Sequence, residues 1–119
     1  MQLVLDGLTR IIGPIATLSR DKRELKETAL MSIGTALNET YFYYRELHQG
    51  EPRSIVKEHE IATFWSAAAI SIRHFDSELA EICAHKSTYW INPERYERDE
   101  RISQYATLDN VRKAFIKLL

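Results

Sequence analysis

Apolar residues recur along this chain at helical spacing and nowhere keep up the alternation of a strand. Taking about 100° per residue as the helical step, Val4, Leu8, Ile11, Ile12, Ile15 and Leu18 collect on one stripe of a first segment. Gly13 and Pro14 interrupt that stripe. Proline has no amide hydrogen to give and its ring crowds the preceding turn, so a kink or break is expected near Thr9 to Gly13. The second segment, Asp21 to His48, places Leu25, Ala29, Ile33, Ala36, Leu37, Tyr44 and Leu47 on one face and stops at Gly50 and Pro52. A third, Ser54 to Lys86, reads as one long helix with Ile61, Phe64, Ala68, Ile72, Phe75, Leu79 and Ile82 in line. Asn92 and Pro93 look like the cap and first turn of a fourth helix, poor in apolar residues but provided with Glu94/Arg98, Arg95/Asp99 and Glu97/Arg101 pairs. Thr107 then caps a short last helix that buries Leu108, Val111, Phe115 and Leu118.

With no strand pattern and a short link at Gln49 to Arg53, the expected fold is all-α. It is an up-and-down antiparallel bundle of four to five helices with a short C-terminal helix, one domain over residues 1–119. Composition agrees: 45% hydrophobic and 28% charged residues with only four Gly and three Pro suit a folded chain with one core. The formal net charge of -1, from 16 Lys and Arg against 17 Asp and Glu, provides no global field for nucleic acid or an anionic membrane. The single cysteine, Cys83, cannot staple the fold, which fits a reducing cytoplasm. Asp6 and Arg10 break the apolar N-terminal stretch, so it reads as a core helix rather than a leader, and no membrane span is expected.

Candidate chemistry is sparse. His74, Glu78, Glu81 and His85 form one line at helical spacing and could grip a divalent ion, but the line lies opposite the apolar face and is expected in solvent. No metal or other cofactor is therefore expected, although a metal- or small-ligand-binding bundle remains the alternative this line offers. Cys83 borders the core as packing. Asp76 borders it too, and a carboxylate there needs a partner. Arg73, or Asn38, Glu39 and Arg45 of the second helix, could supply one in a buried network; a small-ligand pocket is the other reading. No nucleophile elbow, phosphate loop, dinucleotide fingerprint or zinc-protease pair occurs. Arg53 and His59 stand at a spacing that resembles the Arg-x(4–6)-His motif of HEPN-type helical ribonucleases. The resemblance implies RNA cleavage, with Arg53 steadying the transition state and His59 moving a proton.

Tyr41, Phe42, Tyr43 and Tyr44 are consecutive, so on a helix they point four ways and cannot all enter one core. Met31 and Phe42 lie nearly opposite the main stripe of their helix, which implies a second contact, inside the monomer or with a partner. Tyr89 to Tyr96 is rich in the Trp, Tyr and Arg of binding hot spots and also suits packing at a helix junction. From Glu39 to Glu81 eight acids face four bases, a local -4 that would attract a basic protein and repel RNA. The expectation is a non-enzymatic bundle that binds a basic protein or a second copy of itself, in one version an inhibitor or immunity protein of a basic toxin or nuclease. Its contact residues would be Tyr41, Phe42, Tyr44, Glu46, Glu58, Glu60, Trp90 and Tyr96.

Overall fold

The computed structural model describes residues 20–119, with side chains from residue 22. The expected first helix and its Gly13–Pro14 kink lie outside the described residues. Within them the chain is helical: α1 (Arg20–His48), α2 (Ile55–Ile72), α3 (Ser77–Ile91), a 3-10 turn (Pro93–Arg95) and α4 (Arg98–Leu118). One buried cluster draws on all four helices, from Ala29, Ile33 and Leu37 through Trp65 and Ile72 to Leu79, Cys83, Leu108 and Val111.

Helix α1 stops where the sequence says it should. The amide of Glu51 reaches back to the carbonyl of Glu46 (3.0 Å) and that of Gly50 to Leu47 (3.1 Å), a Schellman closure. It needs a residue with positive φ, and Gly50 supplies it at φ 91°. The third expected helix is a correction: Ser54 to Lys86 is not continuous but reverses direction at residues 73–76. Asp76 takes an extended backbone (φ -150°, ψ 105°) and caps α3, its Oδ1 accepting from the amides of Glu78 (3.0 Å) and Leu79 (3.1 Å). Those amides open a helix and lack intrahelical partners, so a carboxylate cap can outcompete helix continuation. The expected network between Asp76 and Arg73 or the second helix is replaced by this cap; its other oxygen, Oδ2, is buried without a partner. The hydroxyl of Ser87 donates to the carbonyl of Ala62 (2.8 Å), tying α3 back onto α2.

The last boundary is corrected as well. Thr107 does not cap a short helix but sits inside α4, which starts at Arg98 behind Glu97. Its hydroxyl lies 3.1 Å from the carbonyl of Gln104 and 2.9 Å from Nζ of Lys86, so it links α4 to α3. Neighbouring helices meet with residue numbers running in opposite senses. Along α1 and α2 the partners are Ser32 with Ser71, Thr40 with Trp65 and Glu46 with Lys57. Along α1 and α4 they are Phe115 over Gly34, Arg112 over the Tyr41 ring and Tyr105 against Tyr44. Leu25, expected on the core face of α1, lies largely exposed, and Tyr43 is buried instead.

Candidate protein-binding surface

The loop after α1 is fastened from inside. Glu58, in the first turn of α2, is buried, and its carboxylate accepts from the Tyr43 hydroxyl (2.5 Å) and from two guanidinium nitrogens of Arg53, Nε (2.9 Å) and Nη2 (2.7 Å). The third Arg53 nitrogen, Nη1, reaches Glu94 of the 3-10 turn (2.5 Å), and the Tyr43 oxygen accepts from the amide of Ser54 (2.9 Å). Burial by itself would push the Glu58 carboxyl up, but the bonds from Arg53 and Tyr43 outweigh it and hold the group below the usual carboxylate range. Glu58, expected as a contact residue, is thus an internal clamp between α1, α2 and the turn before α4. Arg53, bonded to two carboxylates, is not a free cation for a phosphate, and His59, six residues on and next to Glu58, is exposed.

A second internal group was missed in the sequence. Lys86, read there only as the end of a helix, is 3% exposed. Its Nζ donates to Thr107 Oγ1 (2.9 Å) and lies 3.3 Å from both the carbonyl and the side-chain oxygen of Gln104, with the Trp65 ring centroid 5.7 Å away. None of these partners is a carboxylate. Burial pushes its ammonium down to about 8 and the neighbouring Cys83 thiol up to about 12. The spacing from Leu79 and Cys83 already placed Lys86 on the core stripe; its residue type hid it.

The eight expected contact residues separate. Trp90 is buried among Tyr43, Tyr44 and Tyr89 at ring-centroid distances of 5.8, 5.4 and 5.1 Å, and Tyr96 packs on Tyr89 at 5.1 Å, so the aromatic residues of the Tyr89–Tyr96 stretch pack the junction. Tyr41 lies half-buried with the Arg112 guanidinium 5.2 Å from its ring centroid. Phe42, Glu46 and Glu60 come together on the outer face of α1 and α2. There Phe42 is 58% exposed, and Glu39, Glu46, Glu60 and Lys57 line a shallow cleft of about 70 Å³ beside it. The single base in that cleft, Lys57, is bonded to Glu46 at 2.5 Å. Along the same face towards the start of α1, Met31 is 74% exposed above a groove lined by Ser32, Thr35, Phe64 and Ala67. No described residue covers the second apolar strip of α1. Tyr44 instead turns to the other side of α1, where with Leu47, His48, Arg98, Arg101, Ile102 and Tyr105 it lines a groove of about 400 Å³.

Among the described residues no three His, Cys, Asp or Glu side chains are arranged to hold a metal ion, and no helix is long and apolar enough to cross a membrane. His85 and Glu81 stand 3.8 Å apart, both exposed, and His74 is exposed too. No family model matches this chain, and no curated protein or solved structure matches it.

Proposed function

We propose that this chain is a non-enzymatic up-and-down helical bundle whose work is to bind a basic protein through the outer face of α1 and α2. One observation carries the reading: an exposed Phe42 beside Glu39, Glu46 and Glu60, with Lys57, the one base lining that cleft among the described residues, already paired to Glu46. An aromatic anchor bordered by carboxylates offers burial for affinity and charge for orientation and fast encounter. An inhibitor or immunity protein that occludes the cationic site of a toxin or nuclease is the concrete form, since such work needs a shaped acidic face and no cofactor. The interior supports a scaffold role: Arg53, Glu58 and Tyr43 are spent on holding helices together, which leaves the outer side chains to make contacts.

The test is affinity capture from native lysate with the wild type and with Phe42→Ala/Glu60→Lys, each checked for an unchanged melting temperature. A basic protein retained by the wild type and lost with the variant is the expected result. Equal retention by both, or a captured partner that presents no basic surface, overturns the assignment.

A further inference from the structure

We propose that a second copy of this chain occupies that face, seating its groove between α1 and α4 over Phe42, so that copies associate head to tail. This rests on reading the α1–α2 face as a docking surface for a cationic patch, here the groove arginines of a second copy rather than a protein that is basic overall. The groove has the complementary chemistry. Its walls are Tyr44, Leu47, Ile102 and Tyr105, with the Tyr44 and Tyr105 rings edge to face at 4.8 Å, and its charged members are Arg98 and Arg101. Arg98, Arg101, Ile102 and Tyr105 recur at three and four residues and so share one side of α4, from which Asp99 and Glu100 point away. Both arginines are exposed, and among the described residues no salt bridge engages either. The groove, about 400 Å³, has room for a phenylalanine ring, and a guanidinium fork matches a carboxylate at two points.

The two surfaces sit back to back. Phe42 and the groove residues Tyr44 and Leu47 belong to the same stretch of α1, roughly 140° to 160° apart around its axis. A patch and its complement on opposite sides of one helix cannot meet within a molecule. Between molecules they make a heterologous contact, in which each copy gives its face to one neighbour and its groove to another. With a net charge of -1 the molecules barely repel one another, and the contact is strengthened at low salt.

Sedimentation velocity on the full chain tests this with two variants, one altered in the face (Phe42→Ala/Glu60→Lys) and one in the groove (Arg98→Glu/Arg101→Glu). Circular dichroism melts establish that both fold. The wild type is expected to grow in mass with concentration and to dissociate in high salt. Each variant alone is expected to stay monomeric, while an equimolar mixture forms a one-to-one dimer and nothing larger, because the intact groove of one meets the intact face of the other. A wild type that stays monomeric at low salt, a mixture that stays monomeric, or a variant that associates like the wild type overturns the proposal. The two readings fail separately. A monomeric wild type whose face variant still loses a captured basic protein sinks self-association alone; association that survives the face variant, with capture also unchanged, sinks both.

Discussion

Replacing Lys86 by methionine probes the least expected group in the core. Its ammonium is shut away from water and meets only neutral oxygens, those of Thr107 and Gln104, together with the face of Trp65. Burial therefore disfavours the charge and pushes the group from its ordinary 10.5 down to about 8. Below about 8 the lysine is charged in the folded and unfolded chain alike, and the fold bears the full cost of burying it. Between that value and 10.5 the unfolded chain holds the proton that the folded chain has released, so stability rises with pH. At about 1.4 kcal/mol for each tenfold change, the rise across this window is on the order of 3 kcal/mol. Cys83 acts the other way, since its thiol stays protonated in the fold after the unfolded thiol has ionised, and stability falls for that reason. Methionine keeps the unbranched stem of lysine without the charge and leaves Cys83 in place. The stability of Lys86→Met minus that of the wild type, from urea unfolding at pH 7 to 10.5, isolates the lysine. That difference is expected to be largest near pH 7 and to shrink by about 3 kcal/mol as pH rises. A difference that stays flat across the range would refute the claim that Lys86 carries its charge at a cost.

Substitutions at two further positions test the joints of the fold. Glu58→Gln weakens the charge-assisted bonds to Arg53 and Tyr43 and should cost about 2 kcal/mol at pH 7 by urea unfolding. Because the folded carboxyl is held low, this stabilisation is present above the ordinary carboxylate range and lost as pH falls through the folded value, so the gap between wild type and variant should close in acid. Asp76→Ala removes the cap of α3 and should lower stability by about 1 kcal/mol. Asp76→Asn, which still accepts from the amides of Glu78 and Leu79, should recover most of it, and equal losses in both variants would assign Asp76 another role.

Periodicity carried the helical class, the extent of α1 and the Gly50 stop, because each follows from local geometry. The reversal at residues 73–76 escaped it for a definite reason. Ile72, Phe75, Leu79 and Ile82 keep the same phase in one straight helix as in two that fold back, and Arg73, His74 and Phe75 include no glycine or proline. The available signal was Asp76-Ser77-Glu78, an acceptor followed by an acid ahead of Leu79. The aromatic run is a different case. Tyr43 turns to Glu58 of α2, Tyr41 and Tyr44 turn to α4, and Phe42 is left outside. A helix contacted from more than one direction has no single inner stripe, so the period alone could not sort the four. The placing of Phe42, Glu46 and Glu60 on the outer face of α1 and α2 was legible from charge and phase. Glu58 and Trp90 were not, because burial depends on partners in other segments.

The two indoles have unlike surroundings. Trp65 lies beneath the Lys86 ammonium and gives its N–H to Thr40 at 2.9 Å, whereas Trp90 is ringed by Tyr43, Tyr44 and Tyr89. The Trp65 indole is tied to α1 through Thr40 and so marks the α1–α2 contact, whereas Trp90 marks the aromatic junction of α1 and α3. A single Trp-to-Phe change at either position therefore leaves one indole, seated at one known helix contact, as the tryptophan reporter of unfolding.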